Sequence, residues 1–168
     1  MCEPPVNLSN THSFASLTCS TMTFEEFIRI WSSRSLFSVR AASGDSRVFR
    51  GQGTVKTSQP DCRTVIFEEQ GVWRSLDDSN RVFRNVYLWS FRRENLNFDL
   101  AHLRYGRDRP VHLVDFIANA EDAWHSVSPH VCGADLYNAG MNYSGSELKL
   151  SWRIQGPTKS QQVDYIYY

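Results

Sequence analysis

"ELKLSWRIQGPTKSQQVDYIYY", residues 147–168, decides the fold. Across 147–155 the apolar residues Leu148, Leu150, Trp152 and Ile154 alternate with Glu147, Lys149, Ser151, Arg153 and Gln155. Successive side chains of a strand point to opposite faces, so a period of two is the mark of a strand with one buried face. The tetrapeptide Gly156-Pro157-Thr158-Lys159 supplies a turn, and residues 162–168 return in the same period. The stretch is an antiparallel hairpin with one apolar side.

The same pattern recurs upstream. "LFSVRA" (36–41), "RVFRGQGTVKT" (47–57) and "CRTVIFEE" (62–69) are separated by the turn-like "ASGDS" and "SQPD". "VWRSL" (72–76) passes through "DDSN" into "RVFRNVYLWSF" (81–91). "NLNFDLAHLRY" (95–105) turns at "GRDRP" into "VHLVDFI" (111–117), and the looser "EDAWHSVSP" leads to "HVCGADLYNAGMNY" (130–143). About nine or ten strands joined by short turns close most naturally into an antiparallel barrel, which leaves no unpaired edge. Gly51 and Gly53 inside a strand mark a bulge or a barrel corner. Neither "GQGTV" nor "QGPTK" is a phosphate loop, because no strand–loop–helix context surrounds them.

One segment breaks the period. In "TFEEFIRIW" (23–31) Phe24, Phe27, Ile28 and Trp31 recur at helical spacing behind a Thr23/Glu26 capping box. This predicts a short helix that plugs or flanks the barrel. Residues 1–22 are Ser/Thr/Pro-rich and aperiodic and read as a disordered extension. Residues 23–168 are then one domain.

Composition narrows the function classes. The chain of 168 residues is 41% hydrophobic and 13% aromatic, enough for a real core and for an aromatic-lined pocket. Lys plus Arg equal Asp plus Glu at 18 each, so no net field recruits nucleic acid or an anionic membrane. Cysteines at 2, 19, 62 and 132 form no CxxC pair, which argues against a disulfide framework and for a reducing compartment. No apolar run approaches the ~18 residues of a membrane helix. Residues 1–22 also lack the features of a secretory signal. The expectation is a cytoplasmic monomer or homodimer.

The chemistry concentrates in His130, Cys132, Asp135 and Tyr137, spaced H-x-C-x-x-D-x-Y. As a metal site, with His125 nearby, the set is short of the paired or multiple ligands zinc favours. Cys132 with His130 as base is sterically possible, although a lone Cys before Gly133 and Ala134 is more often a small hydrophobe. Acid/base work suits the set better: an imidazole titrates near neutrality, an aspartate can orient it, and a phenol can donate to a carbonyl or enolate. A purely structural reading stands beside it, with Asp135 capping the Gly133 turn and Tyr137 packing. Parity also places Phe83, Asn85, Tyr87, Trp89 and Phe91 on one face, and Leu96, Phe98, Leu100, His102 and Arg104 on another. Polar groups among apolar ones suit either a ligand-enclosing barrel or faces that run out to a solvated rim.

These residues resemble the family known as domain of unknown function 6314. Its pattern is met by Glu69 and Gly71, by Tyr87 and Trp89, by His130, Cys132, Asp135 and Tyr137, and by Trp152, Gly156, Pro157 and Lys159, with Arg40 matching an early arginine. The likeness spans about residues 35 to 168. The chain departs where the family opens with G-x-W, having Arg34 and Leu36. It has Asn85 where the family has an Arg, with Arg84 one position out of phase, and Ser160 after the lysine. The resemblance implies a lipocalin-like barrel in a divergent member and implies no reaction.

The expected fold is therefore all-β, an antiparallel lipocalin-like (calycin-type) barrel with one short flanking N-terminal helix. The expected function is a cofactor-free isomerase or cyclase acting on an apolar or polycyclic intermediate of secondary metabolism; the alternative is a non-catalytic carrier of an apolar small molecule. His130, Asp135 and Tyr137 are the catalytic candidates. Tyr87, Trp89, Phe91, Phe98, His102, Arg104 and Trp152 are the candidate substrate contacts, and no metal or cofactor ligands are assigned.

Overall fold

The computed structural model describes residues 22–44, 47–74, 80–120 and 122–168. The expectation for the N-terminal extension, most of the "DDSN" turn and part of "ASGDS" lie outside these. Helix α1 spans Phe24–Ser32, and its capping box is formed: Thr23 Oγ1 accepts from the Glu26 amide while Glu26 accepts from the Thr23 amide. Phe27, Ile28, Ile30 and Trp31 are its buried side.

Eleven strands follow among the described residues. They are β1 (Leu36–Ser43), β2 (Val48–Asp61), β3 (Thr64–Arg74), β4 (Asn80–Phe91), β5 (Phe98–His102), β6 (Val111–Ala120), β7 (Ala123–Ser126), β8 (His130–Cys132), β9 (Asp135–Ser144), β10 (Glu147–Gln155) and β11 (Ser160–Tyr167). Each pairs antiparallel with the next around the ring, β7 with β9, and β11 returns to β1. The barrel is closed. The strand β8 lies along the same edge of β9 as β7, paired at His130–Tyr137 where β7 pairs at Trp124–Met141. The two are one interrupted strand. Its gap is bridged where the Ala139 amide donates to Ser126 Oγ at 3.0 Å.

The differences from the sequence reading have local causes. Most of "CRTVIFEE" and the first three residues of "VWRSL" belong to one strand, β3, in which Gly71 leaves room for the Phe83 ring across the ladder, 2.7 Å from where a Cβ would sit. Gly51 and Gly53 lie in unbroken register with β1 and β3, so neither marks a bulge; the irregularity in β2 comes later, between Ser58 and Asp61. The looser "EDAWHSVSP" contains β7, and the strand expected over 95–105 is confined to β5.

The core fills the helix end. Phe27 and Trp31 of α1 sit among Phe91, Phe98 and Trp124, with ring centroids 4.4 to 6.0 Å apart. Trp89 closes the same cluster 6.3 Å from Trp31. Burying an aromatic side chain contributes roughly 1.5–3 kcal/mol, so this plug anchors the helix and seals one end. No helix among the described residues is long and apolar enough to cross a membrane.

Candidate functional site

The other half of the barrel is not filled. Inward residues of β4, β5, β6, β8, β9, β10 and β11 surround a cavity of about 320 Å³. Its walls are Tyr87, His102, Leu113, Tyr137, Trp152, Ile154, Val163 and Tyr165, with Asn85, Arg104, Val111, His130 and Cys132 completing them. A bulge in β6 helps to build it. The register shifts between Leu100 and Ala101 of β5, so Val114 and Phe116 face the core while Leu113 and Val111 face the cavity. Without that extra residue, one of the two sets would point outward.

Of the expected substrate contacts, Tyr87, His102, Arg104 and Trp152 come together here. Trp89, Phe91 and Phe98 do not. They share the inward face but lie further along it, in the plug against α1, with relative exposures of 0%, 3% and 0%. Parity assigns a face of the sheet; the depth at which the helix fills the lumen decides which inward residues meet the cavity.

The opening motif divides in the same way. His130 and Tyr137 are cross-strand partners lining the cavity, with ring centroids 6.0 Å apart, and Cys132 lies beside them as an exposed free thiol. Asp135 turns away. Its carboxylate meets Lys159 Nζ at 3.5 Å and lies against Gly156, where it occupies the place a Cβ would take. The expectation that Asp135 orients His130 is therefore corrected: among the described residues Asp135 has Lys159, not His130, as its partner. Lys159 also donates to the Tyr137 hydroxyl at 3.1 Å and lies 5.3 Å from the centre of its ring. The hydrogen bond to Tyr137 and the nearby carboxylate hold the Lys159 ammonium above its ordinary range. The H-x-C-x-x-D-x-Y and G-P-x-K stretches are thus one cluster, because the β8–β9 and β10–β11 turns lie at the same end of adjacent strands. Among the described residues, no three His, Cys, Asp or Glu side chains converge as metal ligands would.

Behind the cavity wall lies a group not among the expected site residues. Glu69 of β3 is fully buried, accepting from Tyr167 Oη at 2.6 Å and from Asn85 Nδ2 at 3.1 Å. Burial pushes its carboxyl up to about 7, against the opposing pull of those two hydrogen bonds. The signal was present: Val65, Phe67, Glu69 and Gly71 share one parity, so a carboxylate stood on an apolar face. Burial also raises the phenols of Tyr87 and Tyr165. Neither hydroxyl has a hydrogen-bond partner among the described residues, although both side chains line the cavity. The His102 ring lies 5.1 Å from that of Tyr87, tilted by 49°, and burial, with the Arg104 charge second, lowers its imidazole. That favours the neutral ring.

Comparisons with known proteins agree with this architecture. The model of the family of unknown function DUF6314 matches residues 31–168, so the chain belongs to that family. No curated protein matches the sequence. Among solved structures, the S-type phycobiliprotein lyase CPES from Guillardia theta is similar, with a TM-score of 0.58 at 8% identity over 87% of this chain and 90% of that one. EF1p2_mFAP2b bound to DFHBI is similar with a TM-score of 0.45 at 8% identity over 86% of this chain and 98% of that one. The likeness to the lyase is one of fold: this is a closed, lipocalin-like antiparallel barrel.

Proposed function

We propose that this DUF6314 barrel binds a small, largely apolar, planar molecule in its lumen. The observation that carries the reading is the cavity itself: a space of about 320 Å³ beside Trp152, Tyr87 and Tyr165, with two phenol hydroxyls that lack partners among the described residues. Ligand sites are typically concave and apolar, with a few convergent polar groups that fix orientation. Flat rings suit the aromatic walls, and a ligand carbonyl or hydroxyl suits Tyr87 and Tyr165.

A catalytic form of the reading, a cofactor-free isomerase or cyclase acting on a polycyclic intermediate, rests on a second observation. The Tyr137 oxygen accepts from Lys159, which leaves the phenolic hydrogen free to be donated into the cavity. His102, lowered by burial, is a base on the opposite wall. A barrel of this architecture carries a lyase in Guillardia theta, which supports placing chemistry in such a lumen. Without substrate turnover the protein is a carrier.

Binding is tested by titrating planar fluorescent probes into the purified protein and comparing Tyr87→Phe and Tyr165→Phe. A hydrogen bond contributes about 0.5–1.5 kcal/mol, so each variant should weaken a carbonyl-bearing probe by roughly twofold to tenfold. Probes that do not bind, or that bind both variants as tightly as the wild type, would end the reading.

A further inference from the structure

We infer that the ligand is anionic, an aromatic or polycyclic carboxylate whose acid group is held by Arg104 at the open end of the cavity. This deepens the binding reading above and rests on it. Among the described residues the wall contains no Asp or Glu, and Arg104 is its one residue with a permanent charge. The guanidinium has no carboxylate partner among the described residues; it packs 4.8 Å from the centre of the Tyr105 ring. Carboxylates close to the wall are occupied. Asp135 is held by Lys159, and Glu69 is sealed behind Asn85 and Tyr167.

The position of Arg104 fits this role. It lies in the turn after β5, two positions beyond His102, where its exposed side chain lines the cavity at the end of the barrel remote from the helix plug. Its charge is felt at the His102 imidazole, so its field reaches into the lumen. The guanidinium is a planar fork that matches a carboxylate in two parallel hydrogen bonds. His130 and the Lys159 ammonium over Tyr137 lie on the β8–β11 side and add no negative charge to oppose an anion. A ligand with its rings between Tyr87 and Trp152 and its acid at Arg104 meets an apolar chamber at one end and a cation at the other.

The test uses three probes with one ring system: 1-pyrenebutyric acid, 1-pyrenebutanol and 1-pyrenebutylamine, titrated by fluorescence into the full chain. The acid should bind about twofold to fivefold more tightly than the alcohol, since an ion pair made by an exposed guanidinium contributes up to about 1 kcal/mol, and the amine should be weakest. Arg104→Gln should remove the preference for the acid, while Arg104→Lys should keep part of it. Equal binding of acid and alcohol, or a preference that survives Arg104→Gln, would overturn the inference while leaving the binding reading intact. If none of the three binds, the binding reading falls and this inference with it.

Discussion

Glu69 is the one charged-type side chain that is buried among the described residues. Its carboxyl, raised from an ordinary 4.5 to about 7 by burial, holds a proton in the folded state where the unfolded chain has released it. The sign follows from linkage: the folded form binds more protons between those two values, so stability is greatest below about 4.5 and is lost as pH rises through about 7. Replacing Glu69 with Gln removes the titration and keeps a group able to meet Tyr167 and Asn85. Wild type should therefore lose stability relative to Glu69→Gln between mildly acid and mildly alkaline pH, by on the order of 1 to 3 kcal/mol. Denaturant melts at several pH values check this. Parallel profiles for the two proteins would show that Glu69 is ionised in the fold.

At the scale of elements, two hairpins meet through one close contact. The β10–β11 turn holds Gly156 because the Asp135 carboxylate of the β8–β9 hairpin fills the space of its missing side chain. Lys159 at the end of the same turn then reaches both Asp135 and Tyr137. Gly156→Ala displaces only the Asp135 carboxylate, the free end of a partly exposed side chain, because the nearest backbone atom stands 3.6 Å from the new Cβ. It should therefore break the Asp135–Lys159 contact without moving the hairpins. Asp135→Asn weakens the same pair, which is partly exposed, with side-chain exposures of 26% and 39%, and such pairs contribute about 0–1 kcal/mol. Thermal melts of the two variants should show similar, small losses. A much larger loss for Gly156→Ala would mean that the fit of the turns, not the ion pair, holds the hairpins together.

On the scale of the molecule, the two ends of the barrel differ. Cys132 lines the cavity at the open end, whereas Cys62 lies in the β2–β3 turn at the helix end; both are free and exposed. With the other cysteines changed to Ser, a bulky maleimide on Cys132 should block probe binding and the same reagent on Cys62 should not. Equal effects at the two sites would place the ligand elsewhere. The asymmetry comes from α1, whose aromatic side fills one end and leaves the other hollow.

Local chemistry made much of this legible in the sequence. The period of two, the turn residues between strands and the capping box before "FEEFIRIW" each report on near neighbours in the chain, so the antiparallel strands and helix α1 follow from them. Parity placed Asn85, Tyr87, His102, Arg104, Trp152 and Ile154 on inward faces, because alternation is a property of one strand by itself. What lay beyond the sequence depends on contacts between distant segments. The depth of the helix plug sent Trp89, Phe91 and Phe98 into the core, the bulge in β6 brought Leu113 and Val111 inward, and the meeting of two turns gave Asp135 to Lys159 instead of His130. Strand periodicity fixes only which side of a sheet a residue faces. Only the closed barrel, with one end filled, decides what that side chain meets.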